Sequence, residues 1–81
     1  MKHFYFHFRM GNEILIDEEG ELLPDYSSAC RQAERSVSEL LANAIKFRND
    51  RIPDSLVIVD EQGLELGTVW FEAVLLSGTR R

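Results

Sequence analysis

The sequence predicts an α+β fold: an antiparallel sheet of four to five strands, ordered β-β-(β)-α-β-β, with one long amphipathic helix on one face. Three observations predict it. Phe4, Phe6 and Phe8 alternate with His3, Tyr5, His7 and Arg9, the period of two of a half-buried strand. Tyr26 to Phe47 carries an apolar stripe at helical spacing. Finally, Ile14-Leu15-Ile16 and Val57-Ile58-Val59 are each followed by Asp-Glu-x-Gly, an apolar strand closed by a tight turn.

Met1 to Arg9 is the first strand. Met10-Gly11-Asn12 turns the chain, with Gly and Asn accepting positive φ. Glu13 to Ile16 is its hairpin partner, and Asp17 to Gly20 is the next turn. Glu21 to Leu23 makes a short third strand that Pro24 ends. Asp25 or Ser27 caps the helix. Its apolar side holds Tyr26, Ala29, Cys30, Ala33, Val37, Leu40, Leu41, Ala44 and Phe47, and the small residues of its first half permit close approach to the strands. Arg48 and Arg51 suit the negative end of the helix dipole. Pro53 bars continuation and biases Ile52 away from helix. Ser55 to Val59 is β-branched and extended. Asp60 to Gly63 turns, and Leu64 to Phe71 returns as the partner strand. Glu72 to Leu76 adds a helical turn or lengthens that strand. The single domain spans residues 1–76, and residues 77–81 form a frayed tail. The expected core is Phe4, Phe6, Phe8, Ala33, Val37, Leu40, Leu41, Ala44 and Val57 or Ile58.

Composition narrows the function classes. The chain has 81 residues, 44% of them hydrophobic and 28% charged, so it is one ordinary globular domain of modest core. Its net charge of −5 argues against nucleic acid as the main ligand, because phosphate neutralisation needs the opposite sign. Cys30 is the one cysteine, so no disulfide framework is expected. With no apolar leader and no stretch long enough to span a bilayer, a reducing cytoplasm is the expected location and no membrane contact is expected.

The aromatic first strand, the Asp-Glu-x-Gly turn, Leu23-Pro24-Asp25 leading into an alanine-spaced helix, and the closing Val-x-Asp-Glu-x-Gly hairpin carry a resemblance. From Phe4 to Phe71 the chain resembles a family of short bacterial proteins, known chiefly from alphaproteobacteria and classed as a domain of unknown function. The resemblance implies the fold and brings no substrate or active site. In topology the chain is also similar to HicB-type antitoxin domains, which run from strands through a Leu-Pro-Asp-like segment into a helix. It departs from them in lacking their Pro-Gly-Cys signature and an added DNA-binding segment.

Residues able to do chemistry each have a structural role in view. His3 and His7 point to one face of the first strand, but four residues of strand separate them by about 13 Å. Two ligands of one zinc ion must each lie about 2 Å from it, so the pair cannot chelate within an intact strand. Glu13, Asp17, Glu18, Glu19, Glu21 and Asp25 form a stretch without a base, which reads as a solvated acidic rim rather than a calcium loop. Cys30 lies near the helix start, a position that suits a nucleophilic thiol, yet on the apolar side, where cysteine packs as a small hydrophobe. No catalytic residue, metal ligand or cofactor is expected.

The sheet face away from the helix is the expected interface. Leu56 to Val59 is apolar on both faces, and Tyr5, His7 and one of Trp70 or Phe71 should lie on the uncovered side. Exposed apolar area of that kind marks a contact surface, so Tyr5, His7, Trp70 and Phe71 are the candidate interface residues. The expected partner is a second copy, giving a dimer through the open face or an edge strand, or else a basic protein. Three function classes follow: a non-catalytic interaction or regulatory module, foremost; an antitoxin-like partner masking a basic RNA-acting toxin; and an enzyme whose His3, His7 or Cys30 acts in a dimer cleft.

Overall fold

Alternation in Lys2–Met10 builds the strand around which everything else is arranged. The computed structural model describes residues 1–46 and 51–78. Along the chain run β1 (Lys2–Met10), β2 (Glu13–Leu15), β3 (Glu21–Leu23), α1 (Tyr26–Lys46), β4 (Ser55–Val59), β5 (Glu65–Trp70) and α2 (Phe71–Gly78). The sheet has five strands in the order β2-β1-β4-β5, with β3 also pairing β1. All described pairings are antiparallel. This is the predicted α+β architecture, with a short second helix added at the end.

Strand β1 serves two partners on one edge. Its last residues pair with β2 (Phe8 opposite Leu15) and its first with β3 (His3 opposite Leu22). Between them the ladder is completed by a side chain. Phe6 N–H donates to Asp17 Oδ2 at 3.1 Å, while Asp17 Oδ1 accepts from the N–H groups of Glu19 and Gly20 at 3.2 and 3.0 Å. Asp60 works similarly, its Oδ1 accepting from Gln62 and Leu64 at 2.9 Å each. The repeated Asp-Glu-x-Gly is thus one turn solution used twice: each aspartate caps its own loop and each glycine, Gly20 and Gly63, takes positive φ.

Asp25, not Ser27, caps α1: its Oδ1 accepts from Ser28 N–H at 2.8 Å and its carbonyl from Ala29 at 3.2 Å. The helix lays Ala29, Ala33, Val37 and Leu41 on Phe4, Leu56, Ile58 and Phe71, all buried. The Phe71 ring meets Phe8 edge-on, centroids 6.0 Å apart. Asp54 knits the far end together, accepting from Gly11 through Oδ2 and from Phe71 through its carbonyl, and donating to Arg9.

Several expectations need correction. Leu40 is 39% exposed, outside the buried line of Ala29, Ala33, Val37, Leu41 and Ala44 on α1. Phe6 and Phe8 are half-buried, lining the groove beside β2. Phe71 opens α2 and turns into the core at 3% exposure, so it is not on the open face. Ser77 and Gly78 are helical rather than part of a tail; Thr79 to Arg81 lie outside the described residues, as do Phe47 and Arg48.

Candidate functional site

Register assigns the faces. Tyr5, His7 and Arg9 stand opposite Val59, Val57 and Ser55, and Thr68 and Trp70 stand opposite Val57 and Ser55. These make up the open face, yet its centre is closed. Val57 and Val59 are 1% and 5% exposed. Arg9 and Glu65, from the strands on either side of β4, meet at 2.7 Å, bridging that strand between Ser55 and Val59. His3 stacks on Tyr5, centroids 5.1 Å apart. The broad apolar surface expected here is therefore already covered by the chain's own polar and aromatic side chains. Trp70, 58% exposed at its margin, is the candidate interface residue that projects; Tyr5 and His7 are half-buried.

Both histidines are engaged with the Asp17 turn. His3 Nε2 donates to the Glu19 carbonyl at 2.8 Å, and His7 Nδ1 accepts from Asp17 N–H at 3.0 Å. They act as fasteners of a loop. The electrostatics of that loop favour a charged carboxylate. Burial pushes the Asp17 carboxyl up, but the N–H groups of Gly20, Phe6 and Glu19, with His7, outweigh it and hold it below the ordinary 3.8. Tyr26, with Cys30 beside it and partly buried, is held above the ordinary phenol range, and its hydroxyl donates to the Leu66 carbonyl at 3.1 Å. Among the described residues no group of three or more His, Cys, Asp or Glu is arranged to hold a metal ion. No helix in them is long and apolar enough to cross a membrane.

Two groups of exposed apolar side chains lie instead at the two ends of the sheet. At the β2 end, Ile14, Leu15 and Ile16 are 45, 53 and 56% exposed. Leu15 and Ile16 wall a groove of about 290 Å³ whose other side includes Ser36 and whose floor is Phe6, Phe8 and Leu56. At the opposite end Leu41, Ile52, Trp70, Phe71, Leu75 and Leu76 line a cleft of about 730 Å³. Sequence reasoning singled out Trp70 and Phe71 of the second zone but missed the first, because it assumed that every apolar residue of β2 has a neighbour to cover it. The available signal was Ile14-Leu15-Ile16: three consecutive apolar residues cannot all face one side of a strand.

A family model described as a domain of unknown function, DUF6894, matches residues 3–72, nearly the whole sheet and α1. The chain belongs to the DUF6894 family. The match takes in β1 from His3 through β5 and the first two residues of α2, leaving most of α2 outside it. No curated protein and no solved structure matches the chain.

Proposed function

We propose that this DUF6894 protein is a non-catalytic protein-interaction module. One observation carries the reading: large apolar side chains stay exposed in two coherent zones, around Leu15 and around Trp70, in a fold whose central strand is buried on both faces. Contiguous apolar surface bordered by polar groups is what a contact surface requires. One ring nitrogen of each histidine, His3 Nε2 and His7 Nδ1, is engaged by a backbone partner, which supports a structural role for the residues best suited to chemistry.

The test is chemical crosslinking and affinity capture from the native host, read by mass spectrometry. Wild type is compared with Leu15→Lys, with the double variant Trp70→Ser/Leu76→Ser, and with the outer-face control Arg35→Ala. A partner retained by wild type and control, and lost with one of the two patch variants, is expected. Identical protein sets from all four baits would overturn the proposal.

A homodimer is a second reading, favoured by one feature of β5. This six-residue edge strand contains neither Lys nor Pro, the usual protections of an exposed edge, and it ends on the exposed Trp70. Light scattering at tens of micromolar should then report twice the chain mass; a clean monomer removes it. The acidic charge also suits an antitoxin-like role against a basic toxin, for which a small basic protein among the captured partners is the expected result.

A further inference from the structure

We propose that the β2 edge receives an extended basic segment of a partner protein, which adds a strand beside Glu13–Leu15 and seats one apolar side chain in the groove between β2 and α1. The inference rests on the interaction-module reading and specifies its surface and ligand. Three observations meet at this edge. First, β2 is a terminal strand, and among the described residues no strand pairs with its outer side. An added strand gains main-chain hydrogen bonds there at no cost in rearrangement. Second, the groove beside it has an apolar floor, Phe6 and Phe8, and at about 290 Å³ it fits one side chain rather than the face of a helix. Third, charge selects the occupant. Glu13, Glu18, Glu19 and Glu21 are all exposed around the edge. Among the described residues, Glu13 of that rim makes a loose contact with Arg51 at 3.8 Å.

A second copy of this chain would bring the same acidic rim, and its net −5 would repel. A segment alternating Lys or Arg with Val, Ile or Leu matches both features, because successive side chains of a strand point to opposite sides. The other free edge, at β5, lacks this match: its carboxylate, Glu65, is already neutralised by Arg9.

The experiment titrates the 15N-labelled chain with a synthetic peptide of about ten residues that alternates Lys or Arg with Val, Ile or Leu. Amide shifts should concentrate on Phe6, Phe8, Glu13 to Asp17 and Ser36, and binding should weaken as salt rises toward physiological strength. Methylating alternate peptide nitrogens removes ladder donors and should weaken binding at least about tenfold. Leu15→Lys, and separately Glu18→Lys/Glu19→Lys, should each weaken it at least about tenfold while the thermal melt holds. All these positions are exposed, and a variant whose melt collapses is replaced by Leu15→Ser.

Equal affinity for a scrambled peptide of the same composition would reduce the effect to diffuse electrostatics and overturn the proposal. Tighter binding of a helix-forming peptide would overturn the extended mode. Shifts confined to the Trp70–Leu76 cleft, or no binding at low salt, would overturn the placement at β2. The interaction-module reading stands or falls separately, on the capture experiment, which does not use this peptide.

Discussion

Gly20 shows how much can depend on a missing side chain. Its φ is +67°, and an added Cβ would lie 2.7 Å from the His3 ring, 2.7 Å from the Tyr5 ring and 2.8 Å from the Phe4 carbonyl. The backbone oxygen cannot retreat without disturbing β1. Gly20→Ala therefore combines left-handed strain with overpacking and should cost about 2–4 kcal/mol in urea unfolding. Gly11, also at positive φ but with open space around it, supplies the comparison: Gly11→Ala should cost only about 1 kcal/mol. Ser55 makes the opposite case. It is 1% exposed and its hydroxyl has no hydrogen-bond partner among the described residues. Ser55→Ala removes an unsatisfied buried group without changing the shape of the site, so the urea midpoint should hold or rise. A clear fall would show that the hydroxyl is in fact satisfied.

The carboxylates of Asp17 and Asp25 make a pH prediction at the same scale. Both are held below the ordinary 3.8, Asp17 despite burial by its three N–H donors and His7, and Asp25 chiefly by the Ser28 N–H at the start of α1. A depressed native value means that their stabilisation is fully present above about pH 3.8 and is lost as pH falls through the lower folded values. Urea midpoints measured from pH 6 down to about pH 2 should decline in that window. Asp17→Asn should flatten part of the decline, and an unchanged slope would refute the assignment.

At the scale of elements, α1 is tied to β5 by a lock between Tyr26 and Gly67. The tyrosine hydroxyl lies where a Cβ on Gly67 would be, and it donates to the carbonyl next door, on Leu66. Gly67→Ala should displace the ring and weaken the domain. In a Tyr26→Ala background the same substitution should cost less or even stabilise, since alanine is the better strand residue. A double-mutant cycle should show coupling of about 0.5–3 kcal/mol, and additive effects would exclude the lock.

Much of this level was legible in the sequence. Aromatic alternation announced β1, the alanine-spaced stripe announced α1, and the twin aspartates announced the two turns, of which the Asp60 turn closes the β4–β5 hairpin and the Asp17 turn links two strands that both pair with β1, because each depends on local periodicity or local hydrogen bonding. What escaped depends on reach. Leu40 and Leu41 both fit the helical stripe, yet nothing in the spacing tells that Leu41 is buried while Leu40 stays 39% exposed. Phe71 follows Trp70 directly, and only the start of α2 sends one outward and the other into the core. Nor could the spacing of Val57 and Val59 show that Arg9 and Glu65 bridge the strand between them, for that pair spans 56 positions in sequence.

At the scale of the whole molecule, the arrangement of partners governs what surface is left to offer. The central strand is saturated on both faces and both edges, so the two ends of the sheet are where contact surface remains. Each end ends the sheet differently, one on an acidic rim and the other on Trp70 and α2. Strand order also sets when the chain can fold. β4 is the strand that joins β1 to β5, and it arrives after more than half of the polypeptide. Until Leu56 to Val59 emerge from the ribosome, Phe4, Phe6 and Phe8 have only α1 and the short strands β2 and β3 to lie against, and the nascent chain has no finished centre. Pairings so distant in sequence slow the search for the native state. A chain cut after residue 54 should therefore show no cooperative melting, and refolding of the intact protein should be slower than its small size and long helix would suggest.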